Sequence, residues 1–83
     1  MEIDNNSKYL ILLGKRLTEV RTKRNLSYRA LAQMCKVDHS QISKIEKGQV
    51  SIQLITLFEL ATALNVHPKE LFDFDFNLEE DKN

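Results

Sequence analysis

Leu10, Leu13, Leu17 and Val20 recur at three- and four-residue intervals in a polar stretch, the spacing of one face of a helix. Ser7 is the expected N-cap. Arg24-Asn25 is the expected end, because asparagine tolerates the left-handed backbone of a helix C-terminus. Ser27 predicts a second helix to about Cys35, with Ala30, Leu31 and Met34 on one side. Asp38 predicts a third, running to about Lys47, with Ile42 and Ile45 inward and Gly48 as its stop. Ser51 predicts the cap of a fourth, whose Leu54, Leu57, Phe58, Ala61 and Leu64 form an apolar stripe closed by Asn65. Pro68, after the cap candidate His67, opens a short fifth helix through Leu71-Phe72. Beyond it the period changes. Phe72, Phe74, Phe76 and Leu78 alternate with Asp73, Asp75 and Asn77, which is a strand rhythm.

The pattern predicts an all-α chain: an arm over residues 1–7, a five-helix domain over 8–72, and an acidic, aromatic tail over 73–83 that ends in a charged, frayed stretch. With 83 residues and 9.7 kDa, there is room for one small domain. One cysteine, Cys35, permits no internal disulfide, and no Cys/His cluster has zinc spacing, so neither a metal nor another cofactor is expected. Cys35 lies on an apolar stripe, where a buried, inert thiol is expected. The longest apolar run, Leu10-Ile11-Leu12-Leu13, is far too short for a bilayer, and no secretory leader is evident. A small domain without disulfides fits a reducing cytosol, so a cytoplasmic protein is the expectation. No nucleophile–base pair, phosphate loop or paired-carboxylate site is evident, so no enzymatic activity is expected.

The formal net charge of zero hides an uneven layout. Residues 8–50 carry ten basic side chains against three acidic ones, a net +7; residues 51–83 carry two against seven, a net −5. Glu2 and Asp4 complete the balance. The basic half suits phosphate, and the acidic half would turn away from it. Lys8, Lys15, Arg16, Lys23 and Arg24 read as ordinary helix-surface charges that raise encounter rates.

Residues 28–47, YRALAQMCKVDHSQISKIEK, are the informative segment. Two short helices joined by a tight turn cross steeply and touch where a side chain is small, here Ala32. Leu31, Val37, Ile42 and Ile45 fall where such helices share a core. The remaining positions of the third helix, His39, Ser40, Gln41, Ser43, Lys44 and Lys47, are polar or cationic and suited to base edges or phosphates.

On these residues the chain resembles the helix-turn-helix domain of phage repressor and Cro-type proteins, the XRE family. The likeness runs without gaps over residues 26–72 and back through Leu13-Gly14-Lys15-Arg16-Leu17 and Arg21. Its most typical pieces are Leu31-Ala32, Val37, Ile42-Ser43-Lys44-Ile45-Glu46-Lys47-Gly48 and Leu60-Ala61 with Ala63-Leu64. Small stand-alone members include restriction–modification controllers, which this chain is similar to, as well as phage regulators and antitoxins.

The resemblance implies a homodimer that sets its third helices in successive major grooves of an inverted-repeat operator, and so blocks or recruits RNA polymerase. It places base contacts at His39, Ser40, Gln41 and Lys44, with Ser27, Tyr28, Lys47 and Gln49 positioning the domain on phosphates. Ser27 also reads as a pure N-cap, and Tyr28 as a packing aromatic. Matching family residues imply a structural ion pair between Arg21 and Glu46. There are three departures. Lys36 stands where glycine is usual in the turn, Tyr28 where glutamine is common, and Ile52 where proline is frequent. A left-handed Lys36 would cost on the order of 1 kcal/mol.

The tail leaves several readings open. It can add a strand to a second copy, pack back on helices four and five, or dock a different protein. Leu71, Phe72, Phe74 and Phe76 are the expected dimer contacts. The rival function is a protein-interaction module, such as an antitoxin or adaptor, gripped through this tail.

Overall fold

The computed structural model describes residues 5–76, with side chains from Ser7 onward. The order is α1 (Asn5–Lys23), α2 (Tyr28–Gln33), α3 (His39–Glu46), α4 (Leu54–Leu64) and a short 3-10 helix (Pro68–Phe72). The arm residues before Asn5, and Leu78 with the charged end of the tail, lie outside the described residues.

The fold is all-helical, but its fifth element is 3-10, not α. Pro68 sets its first turn and the His67 Nδ1 accepts from the Lys69 N–H at 3.0 Å. The expected strand in the tail does not form among the described residues, since Phe74 and Phe76 fold back onto their own chain.

The core is one cluster. Leu13, Leu17 and Val20 of α1 meet Leu31 of α2, Val37 of the turn, Ile42 and Ile45 of α3, Leu57, Leu60, Ala61 and Leu64 of α4, and Leu71. The four residues read as the stripe of α1 differ in outcome: Leu13, Leu17 and Val20 are buried, whereas Leu10 is half-buried. Two starts also differ from expectation. Helix α1 already includes Asn5, so Ser7 lies inside it and is not its cap. Helix α4 starts after Gln53, which makes no side-chain capping bond; Ser51 stands two residues too early.

The buried stripe of α4 is turned relative to the expected one. Thr56, Leu57, Leu60, Ala61 and Leu64 face inward, while Leu54 and Phe58 are 63% and 43% exposed. The stops fall where expected. Asn25 and Asn65 take φ of 59° and 57°, and Gly48 takes 71°. At Gly48 the close approach of Ile11 adds a second reason for glycine, because a Cβ there would sit 2.7 Å from the Ile11 side chain.

Candidate nucleic-acid interface

Short polar caps start both helices of the motif. Ser27 Oγ accepts from the Ala30 N–H at 3.0 Å. Asp38 Oδ1 accepts from the Ser40 N–H at 2.8 Å and from the Ser40 hydroxyl at 3.0 Å. These bonds to the ionised form hold the Asp38 carboxyl below its ordinary pKa, with a smaller pull from His39. The turn between the helices avoids the strain expected at Lys36. Among the described residues only Asn25, Asn65 and Gly48 have positive φ, so lysine is accommodated there without a left-handed backbone.

Three contacts fix α3 against α1. A Cβ on Gly14 would meet the Glu46 carbonyl oxygen and, at 2.6 Å, the Ile45 carbonyl oxygen, so only glycine lets the two helices approach this closely. Arg21 grips Glu46 at two points, Nε to Oε2 at 2.6 Å and Nη2 to Oε1 at 3.0 Å. Thr18 Oγ1 donates to Glu46 Oε1 at 2.8 Å. The Glu46 carboxylate is almost fully buried and thus accepts three donors. The hydrogen bond to Glu46 raises the Arg21 pKa, against the opposing effect of burial.

Arg21 also organises the entry to α2. Its Nη1 donates to the Leu26 carbonyl at 2.5 Å, and its guanidinium lies 4.4 Å from the Tyr28 ring centroid. A cation over an aromatic face is attracted by the ring quadrupole. One side chain therefore links α1 to the loop, to the first residue of α2 and to the last residue of α3.

With Ile42 and Ile45 buried, the opposite face of α3 is left to solvent. His39, Ser40, Gln41 and Lys44 are all exposed there, and Ser43 is half-buried. Residues 40 and 44 share a stripe one turn apart. Ser27, Lys47 and Gln49 are exposed, and Tyr28 is half-buried under Arg21.

Leu71 requires correction as a dimer contact. It is 0% exposed and belongs to the core of its own chain. Phe72 and Phe76 are exposed and Phe74 is half-buried. These three line an apolar groove with Tyr9, Leu10 and Leu13. Phe76 stacks on Tyr9, with ring centroids 5.0 Å apart and planes 19° apart.

Two further side chains depart from their sequence readings. Cys35 is half-buried, not buried, with Sγ 3.4 Å from the Leu31 carbonyl oxygen. Arg16 is no free surface charge. Its Nε donates to the Glu70 carbonyl at 2.6 Å, and its guanidinium nitrogens approach Glu19 at 3.2 Å, Glu70 at 3.3 Å and Asp73 at 3.9 Å. It ties α1 to the 3-10 helix across 54 positions of sequence. The role of Thr18 likewise escaped the sequence reading. Among the described residues no His, Cys, Asp and Glu group is arranged to hold a metal ion, and no helix is long and apolar enough to cross a membrane.

The helix-turn-helix family HTH_3 matches residues 17–71. Control protein C.BamHI of Bacillus amyloliquefaciens is 35% identical over 65 residues, covering 77% of this chain and 80% of that protein. The HTH-type transcriptional regulator PuuR of Escherichia coli is 39% identical over 59 residues, 71% of this chain but only 32% of its own length. The crystal structure of the restriction-modification controller protein C.AhdI of Aeromonas hydrophila superposes with a TM-score of 0.77 at 40% identity, covering 78% of this chain and 98% of that one.

Proposed function

This chain belongs to the HTH_3 helix-turn-helix family of transcriptional regulators, and from that membership we propose that it binds double-stranded DNA sequence-specifically through α3. In this reading the protein acts without catalysis, as a homodimer on an inverted-repeat operator, with α3 of each copy in the major groove. His39, Ser40, Gln41 and Lys44 read base edges. Lys44 suits guanine O6 or N7, and Gln41 suits adenine. Ser27, Tyr28, Lys47 and Gln49 hold the phosphates and set the register.

The observation that carries this reading is the anchoring of α3. Its inner face is buried by Ile42 and Ile45, and its last residue is gripped by Arg21 and Thr18. Its outer face offers four polar side chains to solvent, three in the first turn and Lys44 one turn further. A reading helix has to be rigid on one side and free on the other, because base recognition depends on fixed geometry.

The relatives narrow the role. Two of them carry controller names, and this chain covers 80% and 98% of their lengths. Control of a restriction–modification operon in a bacterial cytoplasm, exerted by blocking or recruiting RNA polymerase, is the role they support. The test is selection of duplexes from a random-sequence pool, followed by footprinting. Recovery of an inverted repeat with two protected half-sites about 34 Å apart supports the proposal. A pool that yields no preferred sequence, or binding that does not weaken with salt, defeats it.

A further inference from the structure

Four of the chain's six aromatic residues gather at one place. Tyr9 of α1, Phe72 of the 3-10 helix, and Phe74 and Phe76 beyond it line a groove of about 370 Å³ together with Leu10 and Leu13. The Tyr9 hydroxyl is the one polar group among these side chains. Phe76 stacks on Tyr9, and its ring lies 6.5 Å from that of Phe74 at a tilt of 46°. The rings build the walls without filling the space, since Phe72 and Phe76 stay 52% and 49% exposed. A contiguous apolar patch on so small a body marks an interaction surface. We propose that this groove docks a short basic segment of another protein. The segment seats large apolar side chains between the rings and sets lysines or arginines against the acidic tail.

Charge argues for that partner. Residues 73–83 carry Asp73, Asp75, Glu79, Glu80 and Asp81 against Lys82. Asp73 and Asp75 alternate with the ring residues, and both are exposed. Glu79, Glu80 and Asp81 follow Phe76 by three to five residues, so chain length alone keeps them within roughly 18 Å of it. Two cations stand against this acidity. Arg16 approaches Asp73 at 3.9 Å, and Lys8 lies 5.5 Å from the Tyr9 ring centroid. Asp75 pairs with no cation among the described residues. The balance beside the groove stays acidic.

Other occupants fit less well. The tail of a second copy brings the same acids and is repelled by them. A duplex is repelled likewise, and none of the residues assigned to bases or phosphates lines the groove. An uncharged ligand gains nothing from the acidic lip. A basic segment draws its encounter rate and register from the lip, and its affinity from anchors buried among the rings. At about 370 Å³ the groove lies near the low end for ligand pockets, roughly 300–1,000 Å³, which suits side-chain anchors and not a whole folded element.

The test selects binders to the full chain from a displayed library of random short peptides. The strongest peptide is then titrated by calorimetry into the natural chain, Phe72→Ser and Asp75→Lys. Both positions are exposed, so the fold is retained, and circular dichroism checks this. Asp75→Lys alone decides the matter should Phe72→Ser not fold. The proposal expects peptides that combine large apolar residues with lysine or arginine, and binding that weakens with salt. Phe72→Ser is expected to weaken binding about tenfold or more, and Asp75→Lys about threefold, with a flatter salt response. Phe72→Ser should leave duplex binding and the sedimentation of the chain alone unchanged. A library that yields no binder, or binders that are acidic or uncharged, overturns the proposal. So does a titration in which either folded variant binds as tightly as the natural chain. Altered sedimentation of Phe72→Ser would put a second copy in the groove, and a lost duplex complex would put DNA there; either result overturns it too. The peptide titration does not depend on the DNA reading, so failure to select any duplex defeats that reading alone.

Discussion

Arg21 and Glu46 close a two-point ion pair between α1 and α3, 2.6 Å from Nε to Oε2 and 3.0 Å from Nη2 to Oε1. Both side chains are largely withdrawn from solvent. A buried pair gives less net stability than its geometry suggests, because both charges lose their hydration. Removal of one partner is costly, because the other stays behind uncompensated. Glu46→Ala leaves the Arg21 charge without its partner, while the Thr18 hydroxyl keeps the Gly14 carbonyl at 3.0 Å, and is expected to cost about 3 kcal/mol or more. Arg21→Met is expected to cost a similar amount. The double variant should lose clearly less than the sum of the two. Urea unfolding of all four proteins measures the coupling, and strictly additive losses would show that the two residues do not act as a unit.

Gly14→Ala opposes two effects of known sign. Alanine is the better helix former by about 1 kcal/mol. The new Cβ, however, meets the backbone carbonyls of Ile45 and Glu46, and backbone cannot rotate away as a side chain would. The expected balance is a loss of about 1–3 kcal/mol, with α3 displaced. Lys15→Ala, at the exposed neighbouring position, is the control and should stay within about 0.5 kcal/mol of the natural chain. A thermal melt in which Gly14→Ala is the more stable protein would show that the α1–α3 approach is not tight.

How legible all this was in the sequence depends on the range of the interaction. Ser27, Asp38, Asn25 and Asn65 act on backbone within a few residues, and their roles were readable from residue type and place. The motif core was readable because Leu31, Val37, Ile42 and Ile45 are the apolar residues that fall where two crossed helices share a core. The face of α4 is legible at Leu57, Ala61 and Leu64 but not at Leu54 and Phe58, since a helix that is apolar nearly all round does not announce which edge of its stripe the rest of the chain covers. The tie from Arg16 to the 3-10 helix could not be read, because Glu70 lies 54 positions away and any of several acids would serve equally on paper. The tail's alternation described a strand, yet an alternating segment also exposes aromatics that fold back onto a neighbouring helix, as Phe76 does on Tyr9.

Asp38 gives the fold a dependence on acid. Its bonds to Ser40 favour the ionised form, so the folded pKa lies below the unfolded one. The stabilisation is therefore complete above the ordinary carboxylate value of about 3.9 and is lost as pH falls through the lowered folded value. Asp38→Asn keeps a good capping side chain without a titrating group. The natural chain's advantage over this variant should shrink as the pH is taken from neutral to below about 4. Urea midpoints at several pH values test it. An advantage that stays constant down to the acid limit would mean that the cap does not act through its charge.

The Tyr9–Phe76 stack should contribute modestly and locally. An aromatic pair of this geometry adds roughly 0.5–1.5 kcal/mol beyond the area it covers. Phe76 is about half exposed, which favours the lower end. Phe76→Ala is expected to lower stability by about 0.5–1 kcal/mol and to leave duplex binding unchanged. Chemical unfolding and a mobility-shift titration on the same preparation read both quantities. A strong loss of duplex binding with little loss of stability would move the tail from a packing role into the nucleic-acid interface.

Lys44 and Lys47 are three positions apart, and the proposed binding mode sets them differently toward a duplex. Lys44 stands on the outer stripe of α3, one turn beyond Ser40. Lys47 is the residue that ends the helix, beside the turn at Gly48. A cation inside the groove meets base edges, whereas one at the helix end meets backbone phosphate. Lys44→Ala is thus expected to cost about 1–3 kcal/mol on the preferred duplex and almost nothing on a duplex altered at the base pair it reads. Lys47→Ala should weaken binding to every duplex alike and flatten the salt dependence by about one phosphate's worth, roughly 0.9 in logarithmic slope. Titrations of both variants on a matched and a substituted duplex at several salt concentrations separate the two patterns. Equal losses on both duplexes for Lys44→Ala would place that lysine on the backbone and leave the reading of bases to its neighbours on α3.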